Sequence, residues 1–238
     1  MMNKNEVEQV VDDATGSIKE EQSWLLTYAD MMTLLFAFFV LLYSLSSPDP
    51  VKVSQMQDGM GDQPKLKSFN AVTEEFEEII DDLNIGEKAK VSRDPRGVTL
   101  EIDGDICFES GSTILHETLT DILNQASKKV FAKADDYRLI IVEGHTDADP
   151  IPKSLKPIFP TNWELSSARA SKVVNYLIDI GVNSGKLQAS GYADRWPASF
   201  SWYDVRSGKV DSLAIAENNK TLEQKKSNRR IKIVFSNN

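Results

Sequence analysis

The run from Trp24 to Leu45, WLLTYADMMTLLFAFFVLLYSL, constrains this chain more than any other feature. It is 22 residues long and holds a single ionisable acid or base, Asp30. At about 1.5 Å of rise per residue, a helix of that length reaches roughly 33 Å, enough to cross a bilayer core of about 30 Å. Trp24 and Tyr43 stand near its two ends, as in an aromatic belt. A buried helix of a water-soluble protein is the competing reading, but apolarity around the whole circumference favours lipid. A cleaved signal peptide fits badly. The preceding 23 residues hold two lysines (Lys4, Lys19) against six acids, and no small-residue cleavage site follows. The positive-inside rule does not fix the orientation, since residues 1–23 and 46–67 carry similar numbers of lysines.

Asp30 is the costly residue in this run. A carboxylate on a spanning helix is unfavourable by about 2.5 to 3.5 kcal/mol, so its presence points to a function, ion binding first. Thr27, Thr33, Ala37 and Ser44 share its helical face, a line of small and polar side chains suited to a protein-facing seam. A shallow, snorkelling Asp30 with no role is the bland alternative.

Composition excludes several classes. A net charge of -9 argues against a nucleic-acid binder. One cysteine, Cys107, allows no internal disulfide, and His116 and His145 lie far apart with no zinc-type spacing. No resident cofactor or metal is expected.

Residues 46–67 are rich in turn formers (Pro48, Pro50, Gly59, Gly61, Pro64), with Val53, Met56 and Met60 on one face of a short amphipathic piece. Within 68–85, Phe69, Val72, Phe76, Ile79 and Leu83 step by three and four, which predicts a helix that packs on the following domain or on a second copy. From Val91 onward strands and helices alternate. Val98–Ile102 reads as a strand, and Leu115, Leu119, Ile122, Leu123, Ala126 and Val130 form a helical stripe. Tyr137–Gly144 reads as a buried strand. A helix from about Trp163 to Gly181 opens with a Thr161/Glu164 capping box. KLQASGY and RRIKIVF supply two more strands. The order βαβαββ predicts an α+β domain, a mixed sheet with helices on one face.

EGHTDADP (Glu143 to Pro150), NWELSSARASKVVNYL and the closing NRRIKIV together resemble the peptidoglycan-binding OmpA-like domain. The resemblance implies that Asp147 and Arg169 hold the diaminopimelate side chain of the peptide stem, with Thr146, Asn162 and Leu165 lining the cleft and Asn228 and Arg229 supporting it. The chemistry agrees, because an arginine fork takes a carboxylate bidentately and an aspartate accepts from an ammonium or amide N–H. Two regions look enlarged, 148–160 and 195–226, either as cleft rim or as plain insertions.

With T-Y-A-D-M-M-T at the start of the anchor, the whole resembles the MotB/PomB B-subunit family of the flagellar stator. That resemblance implies a cytoplasmic tail (1–23), a transmembrane helix (24–45), a plug or linker (46–67), a periplasmic linker helix (68–90) and an OmpA-like domain (91–238). It implies a single-pass protein of the bacterial inner membrane, N-terminus inside, with two copies in a ring of four-span A-subunits. Peptidoglycan is the other partner, and nucleic acid is not one. Asp30 would carry the ion, with Thr27 and Thr33 beside it. The ion is H⁺ or Na⁺: the threonine hydroxyls and LLFAFFVLLYSLS lean to sodium, yet threonines also accompany the acid in proton-type members. Competing readings are a passive wall anchor and an ion-driven subunit of another machine, such as a defence complex. An enzyme is not expected, since nothing fixes Glu143, Asp147 or Asp149 at a hydrolytic separation.

Overall fold

A computed structural model describes residues 24–43, 68–109, 112–131 and 136–236. The expected tail, the plug region and the last two residues of the expected membrane helix (44 and 45) lie outside the described residues. The chain divides into two units, Met1–Asp49 and Pro50–Asn238. In the first, helix α1 spans Trp24–Tyr43, 20 residues long and apolar enough to cross a bilayer. Its Thr27 hydroxyl donates to the carbonyl of Trp24, and the Thr33 hydroxyl donates to the carbonyl of Asp30, each at 2.8 Å.

The second unit is built on a five-stranded sheet: β1 (Ala89–Asp94), β2 (Gly97–Asp103), β3 (Ile140–His145), β4 (Leu187–Gly191) and β5 (Arg230–Ser236), in the order β1-β2-β5-β3-β4. Only β3 and β4 run parallel, joined by the long helix α5 (Asn162–Asp179). Helix α2 (Phe69–Asp82), the short α3 (Gly104–Cys107) and α4 (Glu117–Ala126), which continues in a π-turn through Phe131, complete the helical side. Between β4 and β5 lie three short helices, α6 (Trp202–Arg206), α7 (Ser212–Glu217) and α8 (Leu222–Asn228). The mixed sheet expected from the pattern is present, with additions.

Strand β1 is one of them. AKVSRD has two apolar residues and no strong alternation, so only its pairing with β2 across the Pro95–Arg96 turn reveals it. Residues 68–90, set apart above as a linker, supply part of the domain's own core. Val72, Phe76 and Ile79 of α2 are fully buried with Leu119, Ile122, Val173 and Leu177, and Phe76 meets Phe131 edge to face. The strand expected from Tyr137 starts three residues later. Arg138 folds back onto the Asp136 carboxylate, and Tyr137 points to solvent.

The two faces of the sheet differ in kind. Period-two alternation sends Leu100, Ile233 and Val142 into the helix-covered core along one register row. The next row on the opposite face is Glu101–Lys232–Glu143, and the one after is Asp103–Arg230–His145. Those charges are buried, not solvated: Glu143, His145, Arg230 and Lys232 are all at most 9% exposed. Arg96 pairs with Glu143 and with Asp94, while Arg230 and Lys232 each approach Glu101 at 3.4 Å.

Trp196 roofs this face. Lys232 Nζ lies 4.6 Å and the Arg96 guanidinium 5.2 Å from its ring, and Arg230 donates to its carbonyl at 3.0 Å. His145 stacks on Tyr192 and meets Trp196 edge-on.

Burial, with Arg230 alongside, pushes the Lys232 ammonium down to about 8 from its ordinary 10.5. Between these values the unfolded chain binds more protons than the folded one, so stability rises with pH over that window. The thermal midpoint is therefore expected to climb between pH 8 and 10. In Lys232→Met, which removes the titrating group, that climb should flatten.

Candidate functional site

The site forms where β3 ends against the first turns of α5. Helix α5 starts at the Thr161/Glu164 capping box expected from sequence, with reciprocal side-chain and backbone bonds. It sits unusually close to the sheet. A Cβ at Gly144 would penetrate the Ser166 carbonyl, and one at Gly191 would strike Ser167. These two glycines let the helix touch the strands, so Arg169, one turn further on, is set over the end of β3.

Asp147 is 8% exposed in the loop after β3. Its Oδ2 accepts from Arg229 at 2.7 Å, and its Oδ1 accepts from the Asp149 amide at 3.2 Å. Arg229 also faces Asp105 at 3.6 Å. Partial burial opposes the charge on Arg229, but Asp147 and Asp105 together outweigh it and raise its pKa.

Arg169 is held differently. Its Nε donates to the Ser112 carbonyl at 3.1 Å, and its guanidinium lies 5.0 Å over the Phe108 ring. Burial lowers its pKa, against the pull of Cys107 and Asp147. Among the described residues its two terminal nitrogens have no hydrogen-bond acceptor. The arrangement is one carboxylate already engaged by one arginine, with a second, desolvated arginine presenting its fork.

The other expected residues take structural places around this pair. Asn162 donates its amide to the carbonyls of Asp147 (3.2 Å) and Asp149 (3.1 Å), pinning the loop. Leu165, in the first turn of α5, is 7% exposed. The Thr146 amide donates to the Ala193 carbonyl at 2.8 Å, and its buried hydroxyl has no partner among the described residues. Ala193 itself adopts a left-handed φ of 50°, held because its own amide donates to Ser166 Oγ at 3.1 Å. Asn228 is buried, and its Oδ1 accepts from the Ala198 amide while its Nδ2 donates to Asn218 and Asn219.

Sequence reasoning missed Phe108 and Ser112 beneath Arg169, and Lys225, whose Nζ meets Asp149 at 2.6 Å. It also missed Asn219, which accepts from the Ala148 amide at 2.9 Å. Neither Lys225 nor Asn219 stands in a motif or a periodic stripe.

Comparison with known proteins completes the picture. Residues 11–63 match a family model described as membrane MotB of the proton-channel complex MotA/MotB, and residues 107–205 match the OmpA family. A relative from Bacillus subtilis (strain 168), the uncharacterized protein YtxE, is 30% identical, the match covering 92% of each chain. The chain belongs to the MotB-like family and carries an OmpA-like domain. Motility protein B of Helicobacter pylori (strain ATCC 700392 / 26695) is 28% identical over 90% of this chain and 86% of that one. A crystal structure of the periplasmic domain of Helicobacter pylori MotB (residues 78–256) is similar with a TM-score of 0.50 and 26% identity, covering 64% of this chain and 83% of that one. Both site motifs, 143–150 and 162–177, fall inside the OmpA match, whereas α7, α8 and β5 lie beyond it.

The close seating of α5 makes a sharp expectation. Gly144→Ala should cost about 1–3 kcal/mol or more, because rigid backbone and not a flexible side chain meets the new methyl. Urea unfolding of the variant against the parent chain measures it.

Proposed function

We propose that this chain is the B-type subunit of an ion-driven stator, in which Asp30 takes up H⁺ or Na⁺ and the OmpA-like domain grips peptidoglycan through Asp147 and Arg169. One observation carries the reading. A single chain combines an apolar helix bearing a lone carboxylate with a separate domain whose acid and two arginines converge on one cleft. The names of its relatives support it, since the matches to motility protein B cover 90% of this chain and 86% or 90% of the relatives.

The wall ligand would be the peptide stem, with its diaminopimelate unit. Its carboxylate suits the Arg169 fork, which lacks a protein acceptor among the described residues. Its ammonium suits Asp147, which Arg229 holds in place. The partners are a ring of four-span A-subunits and a second copy of this chain. The N-terminus lies in the cytoplasm and the OmpA-like domain in the periplasm, where the wall is.

Function then follows from the two ends of one chain. Ion binding neutralises Asp30 and ion release restores its charge, which changes how α1 contacts the ring around it. An ion crossing 100 mV supplies about 2.3 kcal/mol. Torque needs a fixed point, and the wall contact provides it. Thr27 and Thr33 flank Asp30 with hydroxyl oxygens that serve a sodium ion or a proton-carrying water equally well.

Substitution separates this reading from a passive anchor. In cells that depend on this chain for swimming, Asp30→Asn should abolish motility while the protein still accumulates and still pulls down with isolated sacculi. Swimming that survives Asp30→Asn would leave only the anchor. Speed measured against sodium concentration at fixed pH identifies the ion: dependence on sodium selects Na⁺, and indifference to it selects H⁺.

A further inference from the structure

The segment between β4 and β5 interrupts the sheet with three short helices, and its contacts converge on the site just described. Asn219, just past the end of α7, is 8% exposed, and its side chain makes three bonds. Its Oδ1 accepts from the amide of Ala148 at 2.9 Å and from Nδ2 of Asn228 at 3.0 Å. Its Nδ2 donates to the Ile215 carbonyl at 2.8 Å, which secures it to α7. A backbone N–H can only donate, so the oxygen end of the Asn219 amide must face Ala148.

The two groups gathered by that oxygen are telling. Ala148 follows Asp147, and Asn228 precedes Arg229; the side chains of Asp147 and Arg229 are themselves 2.7 Å apart. One buried amide oxygen therefore ties the backbone beside Asp147 to the side chain of the residue beside Arg229. Asn162 clamps the same loop from the opposite side, through the carbonyls of Asp147 and Asp149, and Lys225 holds Asp149 from α8. The loop carrying Asp147 is thus gripped between α5 and the inserted helices. Removing the Asn219 amide would leave the Ala148 N–H and one Asn228 N–H unpaired in a buried place, and the loop would move to satisfy them.

We propose that Asn219 is a positioning residue of the wall-binding cleft, and that the 195–226 segment is the buttress that sets the Asp147–Arg229 geometry for the ligand. This rests on the reading of Asp147 and Arg169 as the peptidoglycan-binding pair. Asn219 does not contact the ligand. It acts by holding the Asp147 carboxylate where Arg229 keeps it oriented, so that the loop is ordered before the wall peptide arrives.

The test uses the full chain in detergent micelles and isolated peptidoglycan sacculi, with the thermal midpoint measured on each variant. Arg169→Ala examines the underlying reading: retained binding in that variant overturns the wall-binding site itself. Given loss in Arg169→Ala, Asn219→Ala is expected to weaken sacculus binding about tenfold at temperatures where the protein remains folded. Asn219→Asp keeps an oxygen that accepts from both Ala148 and Asn228, and it should recover most of the binding, which a general loosening of the fold would not allow. Should Asn219→Ala fail to fold, Asn219→Ser replaces it, since one short hydroxyl cannot reach both donors. Binding within twofold of the parent chain in folded Asn219→Ala or Asn219→Ser overturns the proposal. So does an Asn219→Asp variant as weak as Asn219→Ala.

Discussion

Helix α5 can lie directly on β3 and β4 only because Gly144 and Gly191 place no side chain between strand and helix. Much of the cleft follows from that contact. It puts Ser166 within reach of the Ala193 amide, which accounts for the left-handed backbone of Ala193, and that residue's carbonyl in turn receives the Thr146 amide. It also brings Arg169 over Phe108, where the guanidinium is stacked and desolvated before any ligand arrives. A guanidinium that has lost much of its water already has less desolvation left to undergo in any later contact.

A different constraint governs the opposite face of the sheet. Rows of Glu101–Lys232–Glu143 and Asp103–Arg230–His145 occupy positions where a two-layer domain would ordinarily meet water, yet Trp196 covers Lys232, Arg230 and His145 among them. Buried ion pairs stabilise little on their own account, because desolvation offsets most of the attraction. Breaking one partner is costly, and this makes the roof and the sheet interdependent. The loop that carries Trp196 is the same loop that bonds Thr146, Ser166 and Asn228, so the charged face and the binding cleft share a wall.

Features that repeat were readable from the amino-acid order. The membrane run, the α2 stripe of Val72, Phe76 and Ile79, the α5 capping box, and the motifs bearing Asp147 and Arg169 all announce themselves through period or local chemistry. Features built by single long-range bonds were not. Strand β1 has too few apolar residues to alternate visibly. Arg229 pairs with Asp147 across 82 positions of sequence, and Asn219 reaches Ala148 across 71; no spacing rule connects such residues. The inserted helices span only five to seven residues each, too short to show an amphipathic stripe, and they are held largely by side-chain amides. Asn228 shows the same limit. Its motif was legible, but its buried role in joining Ala198 to Asn219 appears only in three dimensions.

Strand β5 is the last in chain order and stands at the centre of the sheet, hydrogen-bonded to β2 on one side and β3 on the other. Until residues 230–236 arrive, β1–β2 and β3–β4 are two separate pairs with nothing between them. The cleft is likewise incomplete, because Arg229 immediately precedes that strand. Closure of the sheet therefore waits on contacts between distant parts of the chain, a topology that folds slowly. The central place of this strand also means that displacing residues 230–236 would part the sheet into two pairs and take Arg229 away from Asp147 in the same step.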